Sequence, residues 1–348
     1  MVLISILGDF DSSIFPIFFN FKHKLTHHII LHDDSKCDKN YANKIIKAQV
    51  KFKKLYNYNY EIIDMTINED NFDNISKAFK RIITKTKKPK NIYLNATDGL
   101  SSVNIVLSSK LLEYGGKVIV YDRFVNTYNL HTKTTIKTLK IKHNTDIKNH
   151  LLLKGYKIIN FSNIYALSNR KKAIISLTKN LKKFKDYANS YKVGTNLNNK
   201  FGNILKDINQ TSEQFVKGTV FEEYIFWLIK DNIKVDDIMV CVSLEYEKNV
   251  QNEFDILFIK NNHLYTIECK FTKNFKTTEY LYKLNYIIDA LDDDGKGMIL
   301  TIGTKNIGWQ DEARAIHSNI DFYSAPSEDF NEKQFLSQIK SFFNLKAK

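Results

Sequence analysis

The chain has 348 residues, 43% of them hydrophobic, and a formal net charge of +14. That length and apolar content suffice for two cored domains plus a connector, and no stretch approaches the roughly 20 apolar residues needed to span a membrane. Three cysteines, Cys37, Cys241 and Cys269, lack metal-ligand spacing and cannot all pair, which excludes a disulfide framework and fits a reducing compartment. The chain opens on a strand pattern rather than a signal peptide, so a cytoplasmic location is expected. The positive charge suits a protein that handles phosphodiesters. Lysine is abundant together with asparagine, isoleucine, tyrosine and phenylalanine, a compositional drift that makes the four arginines more informative than the many lysines.

Taken in chain order, continuous apolar runs occur at residues 2–7, 28–31, 60–63, 91–94 and 117–121, separated by helix-length stretches such as 40–52, 71–84 and 100–114. Strands without polar alternation, spaced by helices, indicate a parallel sheet covered on both faces, a Rossmann-like α/β arrangement. Ligands of such sheets sit beyond the carboxyl ends of the strands, where helix N-termini attract phosphate. Two loops have that position: Gly8, Asp9, Phe10 and Ser12 after the first strand, and Asn95, Thr97, Asp98, Gly99, Ser101 and Ser102 after the fourth. The second reads equally as an ordinary turn and helix N-cap. His23, His27, His28 and His32 surround one predicted strand whose side chains alternate between faces, so they are read as non-ligands.

Residues 146–210 are polar and lysine-rich and read as a connector, with a small DNA-binding insert as the alternative. A helix is expected from about Gly218. On its wheel Glu222 falls between Phe226 and Ile229 in the apolar sector, where a carboxylate needs a partner, whereas Glu223 falls beside Lys230 as an exposed residue. Two strands follow, with alternating Phe254, Ile256 and Phe258 in the first and residues 263–267 leading into Glu268, Cys269 and Lys270 in the second. Asn261 and Asn262 between them tolerate the positive φ of a tight turn, and a hairpin centred there sets Asp255 directly opposite Glu268. Facing carboxylates roughly 5 Å apart at Cβ repel unless a cation lies between them. Lys270 stands on the same face two residues beyond Glu268. The cluster has the form of a divalent-metal site with an ammonium beside it, the metal being Mg²⁺ or Mn²⁺.

In order, spacing and apolar setting, Glu222, Asp255, Glu268 and Lys270 resemble the PD-(D/E)xK nuclease superfamily, and the residues that follow resemble its CRISPR ancillary branch, which carries an N-terminal CARF sensor domain. The resemblance implies an α/β chain with a CARF-like domain at 1–145, a connector at 146–210 and a restriction-endonuclease-like domain at 211–348. It implies that Asp255 and Glu268, with Glu222, hold the metal and that Lys270 orients or deprotonates the water. Lys283 and Arg314 are candidates for substrate contact or support, Arg314 equally for an ion pair with Asp311 or Glu312. The loop at 95–102 resembles the CARF signature at Asn95, Thr97 and Gly99. It departs from it at Asp98 and at Ser101 and Ser102, and Arg123 is a candidate for the missing positive charge. The implied activity is cleavage of single-stranded DNA, RNA or both, with nicking of duplex DNA left open, by a homodimer activated by a cyclic oligoadenylate, most simply the tetra-adenylate, made in type III CRISPR defence. A constitutive restriction or repair nuclease and a non-catalytic DNA-binding regulator are the other readings.

Overall fold

The computed structural model describes residues 1–8, 14–68, 70–86, 91–192, 199–247, 250–271, 277–291, 295–303, 308–346 and 348, which form two compact units, Met1–Tyr156 and Lys157–Lys348.

The first unit runs β1 (Val2–Ile6), α1 (Ile14–Phe21), β2 (His27–Asp33), α2 (Lys36–Leu55), β3 (Glu61–Ile67), α3 (Phe72–Thr86), β4 (Ile92–Asn95), α4 (Ser101–Glu113), β5 (Lys117–Asp122), β6 (Thr127–His131), β7 (Ile136–Lys140) and α5 (Ile147–Leu153). Its sheet has the order β3-β2-β1-β4-β5-β6-β7, parallel from β3 to β5 and antiparallel through β6 and β7. Leu3, Ile30 and Ile119 pack with α1 and α2 on one face, and Val2, Ile4, Ile29 and Leu94 with α3 and α4 on the other. The expected doubly covered sheet is thus present. The strand order reverses between β1 and β4, so the loops that follow these two strands flank the switch point where such sheets bind ligands. His28 is fully buried between Ser5 Oγ (2.9 Å) and Gln49 Oε1 (2.7 Å), and burial lowers its pKa to about 4; His32 contacts Asp64 at 2.9 Å. Each is committed to its own structural partner.

The second unit runs β8 (Lys157–Asn160), α6 (Ile164–Thr178), α7 (Leu181–Ser190), α8 (Lys200–Asp207), a π-helical turn (Phe215–Thr219), α9 (Val220–Asn232), β9 (Asp237–Glu247), β10 (Val250–Lys260), β11 (His263–Lys270), α10 (Thr277–Leu291), β12 (Lys296–Ile302), α11 (Trp309–His317), β13 (Ile320–Ala325) and α12 (Glu332–Phe342). The sheet order is β13-β12-β11-β10-β9-β8, antiparallel from β8 to β11 and parallel from β11 to β13. Helices α6, α7, α9 and α12 share a core with Ile256, Phe258, Ile267 and Cys269 on one face, and α10 and α11 cover Ile299 and Ile320 on the other. The segment 146–210 is not a free connector. Helix α5 belongs to the first unit, β8 is the edge strand of the second sheet, and Leu167, Ile174, Leu177 and Phe184 lie in its core. Most of its lysines lie on the outer faces of these helices, while Lys185 of α7 is buried and donates to the Ile302 carbonyl. Among the described residues, no helix is long and apolar enough to cross a membrane.

Candidate active site and sensor loop

The hairpin forms with the expected register. Asn261 and Asn262 have φ of 53° and 68°, and Ile256 pairs with Ile267 and Lys260 with His263. Because Ile256, Ile267 and Cys269 turn toward the α9 side, alternation sends Asp255, Glu268 and Lys270 to the face covered by α10 and α11. Lys270 Nζ lies 2.6 Å from Glu268 Oε1 and 3.6 Å from Asp255 Oδ2, and 4.7 Å from the centre of the Tyr280 ring. Asp255 Oδ2 also accepts the Cys269 backbone N–H at 2.7 Å, so the carboxylate takes a ladder bond and is fixed against β11.

The electrostatics follow from crowding three acids around one ammonium. Burial, then Glu268, then Glu222 raise the Asp255 carboxyl well above its usual range. Burial would lower the Lys270 ammonium, but Asp255 and Glu268 together outweigh it and raise its pKa. Lys270 is therefore a fixed cation in this state. Burial also pushes Glu222 up to about 7, against the Cys241 hydrogen bond and the Lys270 charge.

Glu222 is near enough to Asp255, Glu268 and Lys270 for their charges to act on one another, but its own carboxylate is engaged by the Cys241 thiol. Among the described residues, no three acid, histidine or cysteine side chains gather closely enough to hold a metal. Glu222 starts from α9, which packs on the opposite face of the sheet; it accepts the Cys241 thiol at 3.2 Å and lies against Gly218 in the π-helical turn. Cys241 has φ of 53° within β9, a position open to few side chains other than glycine. Glu223, expected to be exposed, is 0% exposed: Arg170 Nε donates to its two carboxylate oxygens at 2.9 and 2.8 Å. The wheel misplaced Glu223 because α6, which supplies Arg170, had been read as connector. Glu253, which contributes to the Glu222 shift, was also missed, although it lies two residues before Asp255 on the same face. Arg314 Nη1 bonds Asp311 Oδ1 at 2.8 Å, the ion-pair alternative, and Lys283 is exposed on α10.

In the first unit, Asn95 is buried and spent on the loop itself: its Oδ1 accepts the Thr97 hydroxyl at 2.7 Å, and Thr97 Oγ1 accepts the Tyr121 N–H at 2.7 Å. These two side chains tie the loop after β4 to β5. Gly99 has φ of +98°, and a Cβ on Gly8 would fall 2.6 Å from the Gly99 Cα, so the two switch-point loops touch backbone to backbone. The Asp98 carbonyl accepts the Asn104 amide at 3.0 Å, while Ser101 and Ser102 open α4 as exposed residues. Arg123 stands half-buried in the turn between β5 and β6. Asp9, Phe10 and Ser12 lie outside the described residues.

Residues 209–320 match the family described as Card1-like, endonuclease domain. The second unit carries a Card1-like endonuclease domain. Protein VC1899 from Vibrio cholerae has a similar structure over 99% of this chain and 98% of its own, with a TM-score of 0.74 at 15% identity. Can2 from Sulfobacillus thermosulfidooxidans, solved in complex with cyclic tetra-adenylate, covers 99% of both chains with a TM-score of 0.71 at 16% identity. A type III CRISPR defence DNA nuclease activated by cyclic oligoadenylate matches 88% of this chain and 46% of its own, with a TM-score of 0.54 at 13% identity. No curated protein matches the chain in sequence. The chain thus shares the fold of VC1899 and Can2 over nearly its whole length, a Rossmann-like unit followed by a second α/β unit.

Proposed function

We propose that the protein is a metal-dependent nuclease that a cyclic oligoadenylate switches on, cyclic tetra-adenylate being the first candidate, and that it cuts single-stranded DNA or RNA as a homodimer in type III CRISPR defence. The observation that carries this reading is the convergence of Asp255, Glu268 and Lys270 at one strand end of a Card1-like endonuclease domain. Crowding with Glu268 and Glu222 raises the Asp255 carboxyl, and a divalent cation would relieve that crowding; the pair fits Mg²⁺ or Mn²⁺, which complete their shells with water and substrate phosphate. Asp255 and Glu268 would hold the ion, and when bound it supplies Lewis acidity and an activated water. The chain's own residues do the rest. The Cys269 N–H fixes Asp255, and Lys270 keeps the two acids side by side and offers a permanent positive charge to the phosphate. Glu222, near neutrality in its affinity for a proton, stands at the edge of the cluster as an acceptor or donor.

The sensor reading is supported by the switch-point position of the loops at Gly8 and at 95–102 and by the exposed serines at the N-terminus of α4, where free N–H groups favour phosphate. A cyclic tetra-adenylate has internal symmetry that suits an interface between two identical copies, which is the ground for the homodimer. The test incubates the purified protein with labelled single-stranded DNA and RNA in Mn²⁺, with and without cyclic tetra-adenylate. Cleavage is expected only with the activator, and Glu268→Ala or Lys270→Ala should abolish it while activator binding persists. Cleavage without any activator would remove the sensor from the proposal, and wild-type rates in either variant would overturn the assigned site.

A further inference from the structure

The Lys270 ammonium touches two carboxylates and a ring: Glu268 Oε1 at 2.6 Å, Asp255 Oδ2 at 3.6 Å and the face of Tyr280, whose centre is 4.7 Å away. Lys270 therefore shares both acids with any divalent cation held at this site, whereas the ring contact is its own. Tyr280 is fixed from outside the cluster. It lies in the first turn of α10, where Thr278 Oγ1 donates to Asp311 Oδ1 at 3.0 Å and joins the starts of α10 and α11. Leu281 and Leu284 of the same helix share a core with Ile299, the residue paired with Glu268 across β11 and β12. The register thus sets α10 beside the rung that carries Glu268, and the Tyr280 ring is half-buried against that core.

We propose that Tyr280 is a positioning residue for Lys270: its ring keeps hold of the ammonium when Asp255 and Glu268 turn their oxygens to a divalent cation. This rests on the nuclease reading above and adds the residue that lets one lysine and one metal share two acids. An aromatic face attracts an ammonium through its quadrupole but offers a hard dication no oxygen ligand. Without the ring, Lys270 is left to the acids, where its charge opposes that of the metal. With it, the ammonium has a seat next to the acids from which it still faces the phosphate. Tyr280 acts through Lys270 and is assigned no contact with substrate.

Mn²⁺ binding, read from the electron paramagnetic resonance signal of the free ion, gives a measurement separate from cleavage. Full-length protein with saturating cyclic tetra-adenylate and no substrate is titrated with Mn²⁺. Tyr280→Leu should weaken binding roughly 2- to 30-fold, the range of a cation–π contact from exposed to desolvated. Tyr280→Met, which also lacks a ring and adapts to the space left, should do the same, and Tyr280→Phe should restore the affinity. Tyr282→Leu, at a position 64% exposed on the same helix, serves as the control and should match wild type. In a Lys270→Met background Tyr280→Leu should have no further effect, because the ring then has no ammonium to hold. A merely structural Tyr280 would weaken Mn²⁺ binding equally with and without the lysine, and that result would overturn the role. So would wild-type affinity in both ringless variants, or a phenylalanine variant as weak as leucine. Cleavage of labelled single-stranded DNA and RNA by the same preparations should show a lower kcat for Tyr280→Leu at unchanged KM, with recovery in Tyr280→Phe. Wild type that neither binds Mn²⁺ nor cleaves would sink the nuclease reading and the Tyr280 role with it. Wild type that does both, with Tyr280→Leu unchanged, would sink the Tyr280 role alone.

Discussion

Glu222 and Glu223 are neighbours on α9, yet one faces the cluster of acids while the other is sealed against Arg170. A helical wheel ranks positions by the apolar stripe it can see, and the second packing surface of α9 came from α6, whose polar sequence concealed it. The legible signal was the scarcity of arginine: of four in the chain, Arg170 and Arg314 each prove to hold a carboxylate. Removing one member of a buried pair leaves the other charge without compensation, which costs far more than replacing both by apolar groups. Arg170→Ala is therefore expected to destabilise the second unit by about 3–5 kcal/mol. The double variant Arg170→Met with Glu223→Leu should recover most of that loss, and urea unfolding of the two proteins would decide it. Equal stabilities for wild type and Arg170→Ala would show that Glu223 is protonated and the pair contributes little.

At the scale of elements, the hairpin was legible because its determinants are local. Two asparagines at a tight turn fix the centre, and a period of two carries that register to Asp255 and Glu268 without any tertiary information. The parallel sheet of the first unit was legible for the same kind of reason, since unbroken apolar runs leave no wet face. The left-handed Cys241 was not, because it lies within β9 between two partner strands, where nothing in the local sequence marks a positive φ. Helix α1 was also missed: its eight residues are all buried, so it carries no amphipathic period. The turn makes a direct prediction. Asn261→Gly should keep the melting temperature and the cleavage rate, since glycine accepts φ of 53° without strain. Asn261→Val puts a β-branched side chain at positive φ and should cost about 1–3 kcal/mol, read as a lower melting temperature. A valine variant as stable as wild type would mean that the loop has another conformation and that the register is held elsewhere.

Across the whole molecule, the two units divide at Tyr156 and Lys157, far upstream of the boundary at residue 211 that composition suggested. The difference matters for what counts as the nuclease. A piece beginning at 211 would keep Asp255, Glu268 and Lys270 but lose the edge strand β8 and the helices α6, α7 and α8. It would expose the apolar side of α9, strand Glu223 without Arg170, and take away Phe184, whose ring stacks on Phe271 at 6.1 Å immediately after Lys270. Each of these losses falls on the helix or strand that positions the acids, so fold and site fail together. Residues 157–348 expressed alone should unfold in one cooperative transition, whereas residues 211–348 should lack a cooperative melt and bind a hydrophobic dye. Circular dichroism melts of the two fragments, with dye fluorescence alongside, test this. A cooperative melt from 211–348 would mean that α6, α7 and α8 are an accessory layer and that the remaining strands and helices close a sufficient core on their own.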